Sequence, residues 1–154
     1  MINEGDQAPA FDLEADDGTR VSLESLRGRN VVLFFYPKDD TPGCTREACG
    51  FRDELPRFEA MNAEIFGVNP GNAKSHKKFR AKYNLPYRLL VDEDHRLADE
   101  FGIWAQKSTF GVTHMGIVRT TVVIDSNGRV ARIFPKVKVD GHVEEVAEAV
   151  AALG

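Results

Sequence analysis

Val31-Val32-Leu33-Phe34-Phe35-Tyr36-Pro37-Lys38-Asp39-Asp40-Thr41-Pro42-Gly43-Cys44 runs from an unbroken apolar segment through a short polar loop to a cysteine. Consecutive aromatic and β-branched residues without alternation predict a central strand covered on both faces. Pro37 ends that strand, because proline has no N–H to give to a ladder. Thr41 and Pro42 suit the start of a helix, and Ala48, Phe51, Leu55, Phe58 and Met61 mark one apolar helical face from about Cys44 to Met61. Pro56 falls inside this pattern and predicts a kink.

Upstream, Asp17-Gly18 separates Phe11-Asp12-Leu13 from Thr19-Arg20-Val21-Ser22-Leu23, a hairpin signal. Downstream, Ile65–Val68 reads as a strand, Ala73–Tyr83 as a helix, Arg88–Val91 as a strand and His95–Phe101 as a short helix. Thr120–Ile124 and Val130–Phe134 flank Asp125-Ser126-Asn127-Gly128 as a second hairpin. Val143, Val146, Ala147, Val150 and Leu153 trace a C-terminal amphipathic helix. This order predicts an α/β fold, a three-layer sandwich with a mixed central sheet and an N-terminal β-hairpin, which is the thioredoxin-like arrangement. A single domain over residues 1–154 is expected, since that length buries a core without disulfide or metal staples.

Composition narrows the function classes. No apolar run approaches the ~20 residues of a membrane span, and the first residues, Met1-Ile2-Asn3-Glu4-Gly5-Asp6, lack the basic flank and apolar stretch of a secretory signal. A cytoplasmic location follows as the expectation. A net charge of −4 with both signs interspersed offers no field for nucleic acid. Lys74, His76, Lys77, Lys78, Arg80 and Lys82 read as a solvated helix face. The four histidines, His76, His95, His114 and His142, fall at no zinc-like spacing with the cysteines and are expected on the surface, so no metal is expected.

Only two cysteines occur, Cys44 and Cys49, in a chain that needs no structural disulfide. Unpaired N–H groups and the positive end of a helix dipole favour a thiolate at Cys44. Ionisation alone gains only about tenfold in rate, by raising the thiolate fraction from under about a tenth to nearly one, and a weaker base is also a weaker nucleophile. Attack on a peroxide drives negative charge onto the departing oxygen, so fixed donors and a permanent cation are also needed. Thr41 and Arg119 are the candidates, Arg119 because it opens the Thr120–Ile124 strand after His114-Met115-Gly116-Ile117-Val118. Five positions along an α-helix separate Cα atoms by roughly 8–9 Å, beyond the ~7 Å limit for a disulfide. Joining Cys44 to Cys49 therefore requires the first turns of the helix to unwind.

Phe35-Tyr36-Pro37, then Thr41, Pro42, Gly43, Cys44, Thr45, Glu47, Ala48, Cys49, Phe51 and Arg52-Asp53, followed by Gly116-Ile117-Val118-Arg119, resemble the peroxiredoxins. Within them the likeness is to the bacterioferritin-comigratory-protein or PrxQ group, and it spans nearly the whole chain. The resemblance implies that Cys44 is the peroxidatic cysteine, that Pro37, Thr41 and Arg119 complete the catalytic set, and that Cys49 resolves the oxidised form in the atypical two-cysteine manner. It further implies hydrogen peroxide and organic hydroperoxides as substrates, bound around Thr41, Gly43, Cys44, Glu47 and Arg119. Thioredoxin or a glutaredoxin-like protein would be the reductant; no cofactor and a monomer are implied. Glu47 resembles the family's partner of the arginine, although an exposed first-turn acid fits its position equally. Asn69-Pro70-Gly71 departs from the family pattern, which commonly carries a serine and an acidic residue there.

Other readings stand beside this one. A thiol–disulfide oxidoreductase would use the same fold, but its cysteines stand at Cys-x-x-Cys, two residues closer. A metal-binding module lacks ligand spacing. A redox sensor or partner-binding thiol protein would use the same cysteine pair, with the oxidised, unwound helix as its signal.

Overall fold

The apolar run forms a strand buried along its whole length, Asn30–Phe35 (β3), inside a seven-stranded mixed sheet. Its side chains divide the interior between two faces. Val31, Leu33 and Phe35 pack with Phe66, Val68, Leu97, Phe101 and Ile117, while Val32, Phe34 and Tyr36 pack with Cys44, Phe51, Phe58, Phe79 and Val146. Because successive strand residues point to opposite faces, covering both faces requires a run with no polar position. The computed structural model describes residues 1–154, the side chain of Thr109 excepted.

In chain order the remaining strands are β1 (Asp12–Ala15), β2 (Arg20–Ser22), β4 (Ala63–Asn69), β5 (Leu89–Val91), β6 (Trp104–Thr109), β7 (Val112–Ile117), β8 (Thr120–Ile124) and β9 (Val130–Phe134). The helices are α1 (Pro42–Asp53), α2 (Leu55–Ala60), α3 (Ala73–Lys82), α4 (Arg96–Glu100) and α5 (His142–Ala151). Across the large sheet the order is β2-β1-β5-β4-β3-β8-β9. The pairs β3–β4 and β4–β5 are parallel, and the others are antiparallel. Two crossovers, through α1–α2 and then α3, step the same way across the sheet, and a common hand places these helices on one face. Phe51, Phe58 and Phe79 accordingly share one cluster, whereas Leu97 and Ala98 of α4 belong to the other. Helices on both faces of a mixed sheet, with β1–β2 as the N-terminal hairpin, give the expected three layers. No helix among the described residues is long and apolar enough to cross a membrane.

The anticipated helix from Cys44 to Met61 is two helices. Glu54, at φ −101° and ψ 5°, divides α1 from α2, and Pro56 occupies the first turn of α2. There its missing N–H has no intrahelical acceptor to lose, so the proline begins a helix instead of kinking one. The sequence pattern also leaves Phe101 to Thr120 without strands, yet β6 and β7 form a separate two-stranded ladder. Its turn is Phe110-Gly111, with φ of 51° and 78°. Positive φ at both central positions matches the twist of the flanking strands. Phenylalanine in place of the usual Asn or Asp hides that turn.

Candidate active site

The loop from Pro37 to Thr41 is held from below by polar groups that the sequence does not announce. Asp39 accepts from the Tyr36 hydroxyl at 2.7 Å and the Ser75 hydroxyl at 2.7 Å, and pairs with Nδ1 of His76 at 2.6 Å. Burial raises the cost of charge on Asp39, but the bonds from His76, Tyr36 and Ser75 outweigh it and hold the carboxyl below its ordinary range. His76 is therefore no part of a solvated basic face; its side chain is fully buried. Asn69, the departure from the family pattern, is buried as well. Its Nδ2 donates to the Tyr36 carbonyl at 2.7 Å and its Oδ1 accepts from the Gly71 N–H at 2.7 Å, so it ties the end of β3 to the loop after β4.

Thr41 is the N-cap of α1 and Pro42 its first residue. The Thr41 side chain makes no capping bond. Oγ1 instead donates to the Lys38 carbonyl at 2.9 Å, closing the loop, while the Thr41 carbonyl accepts from Thr45 N–H at 2.8 Å. Gly43 and Cys44 follow within the first turn, where backbone N–H groups have no intrahelical acceptor. Pro37, at the other end of the loop, is half-buried.

Cys44 is 1% exposed and is a free thiol. Arg119 meets it from the segment between β7 and β8, with Nη2 at 3.4 Å from Sγ. Nη1 of the same guanidinium donates to Glu47 Oε1 at 2.7 Å. Gly43 makes this approach possible, since a Cβ there would stand 3.1 Å from Nη2 of Arg119. Burial opposes the charge of Arg119, but Glu47 and Cys44 more than offset it, and its pKa is raised.

Glu47 is buried completely, which decides between its two sequence readings. Burial pushes its carboxyl up to about 7 against the attraction of Arg119. Its Oε2 has no hydrogen-bond partner, and Nε2 of His142 lies 4.0 Å away. His142 is also buried, contrary to the expectation for single histidines. It bonds to Thr121 Oγ1 at 2.7 Å and to Glu145 Oε1 at 2.7 Å, and burial lowers its pKa. No spacing rule connects His142 to Glu47, because β8 and α5 meet α1 only in the folded chain.

Cys49 lies on the same unbroken helix, half-exposed and also free. Five positions along the helix turn it about 140° away from Cys44, and of the two it is Cys44 that meets Arg119. The two thiols thus belong to different faces of α1. Tyr87 donates to the carbonyl of Ala48 at 2.6 Å, pinning the helix between the cysteines.

Comparisons with known proteins give the family and the fold. Residues 4–133 match the AhpC/TSA family. Peroxiredoxin Bcp of Bacillus subtilis is 47% identical over 147 residues, covering 96% of this chain and 94% of the relative. A putative peroxiredoxin bcp of Coxiella burnetii is 47% identical over 145 residues, covering 94% and 96%. Among solved structures, a cysteine-to-serine variant of Xylella fastidiosa PrxQ superposes with a TM-score of 0.93 at 35% identity, covering 99% and 97%. The bacterioferritin comigratory protein of Xanthomonas campestris, described for its alkyl peroxide reduction activity, gives 0.87 at 37% identity, covering 92% and 90%.

Proposed function

The chain belongs to the AhpC/TSA family and is a peroxiredoxin, a thiol peroxidase, and we propose that it works through Cys44 as the peroxide-reactive thiol and Cys49 as the thiol that resolves the product. The observation that carries this assignment is the single guanidinium of Arg119, within 3.4 Å of Cys44 and anchored on Glu47.

The thiolate of Cys44 attacks the terminal oxygen of a hydroperoxide. An S–O bond forms, the O–O bond breaks, and the departing alkoxide or hydroxide takes a proton to leave as alcohol or water. Cys44 becomes a sulfenic acid. Negative charge moves from sulfur onto oxygen along this path, so a cation and N–H donors placed beforehand stabilise the transition state more than the ground state. Arg119 supplies the cation, and the first-turn N–H groups of Gly43 and Cys44 supply donors. Thr41 and Pro37 shape the loop around the peroxide and limit water.

In the second step the sulfur of Cys49 attacks the sulfenic sulfur, an S–S bond forms, and hydroxide leaves as water after protonation. With α1 intact the cysteines stand about 8–9 Å apart at Cα, so this step needs local unwinding between them. A dithiol reductant of the thioredoxin type then returns both thiols by exchange. The protein is expected to act as a monomer, with thioredoxin or a glutaredoxin-like protein as donor.

Mixing reduced protein with one equivalent of hydrogen peroxide tests the assignment. Fast peroxide loss with a product two hydrogens lighter, bridged between Cys44 and Cys49, is expected. Persistence of both thiols, at the pace of free cysteine, overturns it.

A further inference from the structure

Lys107 lies on β6 and has no part in the set Pro37, Thr41, Cys44 and Arg119. Its side chain does not extend into solvent as a hairpin lysine ordinarily would. It is partly buried and turned along the ladder, and Nζ donates to the Ile117 carbonyl at 2.8 Å. Ile117 is the last residue of β7, two positions before Arg119. Gly116 clears the way for the stem, because a Cβ at that position would stand 3.2 Å from Cδ of Lys107. Gly116 has no positive φ to explain it. Its value is the space it leaves for Lys107.

We propose that Lys107 is a positioning residue of the peroxide site: its ammonium fixes the backbone that launches Arg119 and adds a second positive charge on the side of the site from which Arg119 enters. The inference rests on the reading of Cys44 as the peroxide-reactive thiol. The charges that meet here come from three elements. Cys44 and Glu47 stand on α1, Arg119 lies just before β8, and Lys107 on β6 faces His114 across the ladder. Burial and the nearby Arg119 lower the pKa of Lys107, and Cys44 opposes that drift. The ammonium of Lys107 and a negative charge developing at Cys44 attract each other. Glu47 neutralises part of Arg119, and among the described residues Lys107 has no carboxylate in an ion pair with it.

The chemistry explains why two cations would be useful. Arg119 is shared between a carboxylate and the thiol, so its field at sulfur is diluted. A second cation, fixed by a backbone carbonyl and not by an acid, restores that field without adding a compensating negative charge.

The test titrates the Cys44 thiolate by its ultraviolet absorbance in Cys49→Ser protein and measures the rate with hydrogen peroxide across pH. Lys107→Met keeps the apolar stem and removes the charge. Its thiolate midpoint is expected to move up, and the pH below which the rate falls is expected to move up with it, so that the loss is largest on the acid side of the parent midpoint. Lys107→Arg, which keeps a charged donor, is expected to stay near the parent midpoint. Gly116→Ala displaces the stem by an independent route and is expected to shift the midpoint in the same direction as Lys107→Met. A Lys107→Met protein with the parent midpoint and rate overturns the proposal, as does an equal shift in the Met and Arg variants. Failure of the peroxidase reading would look different, since the parent itself would then react no faster than free cysteine.

Discussion

Arg119 holds Glu47 at 2.7 Å through Nη1, and this grip leaves Nη2 facing Cys44 Sγ at 3.4 Å. A planar fork can serve two partners at fixed angles, and a lysine ammonium cannot reproduce that geometry. Arg119→Met is expected to slow the reaction of reduced protein with peroxide by roughly 10²–10³-fold, the usual cost of removing one transition-state donor. Arg119→Lys should recover part of that loss. Stopped-flow peroxide consumption checks both, and a Met variant at the parent rate would remove Arg119 from the mechanism.

Glu47 gives the protein a pH-dependent stability of predictable sign. Its folded pKa is raised from 4.5 to about 7 by burial. Between those values the folded state binds more protons than the unfolded one, so stability is full below about pH 4.5 and declines as pH rises toward 7. His142 acts oppositely, because its folded pKa lies below 6.5 and stability is lost as pH falls beneath that value. Glu47→Gln should flatten the decline on the rising side. Urea midpoints of parent and variant across this range isolate the Glu47 contribution by difference, and parallel curves would assign the slope to another group.

The strand ending at Phe35, the loop and Cys44 were legible because each carries a local signal: an unbroken apolar run, a proline, a residue pair suited to a helix start. Arg119 was legible through its place at the head of a strand and through the family pattern. Asp39, Asn69, His76 and His142 were not. Each is a polar residue whose burial depends on a partner more than 20 positions away, such as Asn69 on the carbonyl of Tyr36 or His142 on Thr121. Periodicity describes which face an element buries; it does not report which polar group will find an acceptor there. The β6–β7 hairpin escaped for a different reason, since Phe110 occupies a left-handed turn position where composition gives no warning.

Cys49 should separate the two chemical steps. Cys49→Ser is expected to keep one fast reaction with peroxide, stop turnover with a thioredoxin system, and pass to the sulfinic acid when peroxide is in excess. Cys44→Ser should lose the fast reaction itself. Mass measurement after one and after ten equivalents of peroxide distinguishes these states, and full turnover by the Cys49 variant would assign resolution elsewhere.

Tyr87 is expected to influence how readily α1 opens. Its hydroxyl reaches the Ala48 carbonyl at 2.6 Å, one residue before Cys49, while its ring packs edge-on against Phe34 at 5.7 Å between centroids. Unwinding α1 to join Cys44 and Cys49 must break that bond, so it stabilises the reduced helix and delays the disulfide. Tyr87→Phe keeps the ring and removes the bond, at a cost of about 1 kcal/mol to the reduced protein. If the bond is fully broken when the disulfide forms, closure should speed up by about fivefold. Faster closure shortens the life of the sulfenic acid, and a second peroxide then finds less of it. The Phe variant should therefore survive higher peroxide without forming sulfinic acid, although it melts at a lower temperature than the parent. Unchanged closure and unchanged sulfinic acid formation would mean that opening is limited elsewhere, with Phe51 and its aromatic contacts to Phe34 and Phe58 as the remaining hold on the helix.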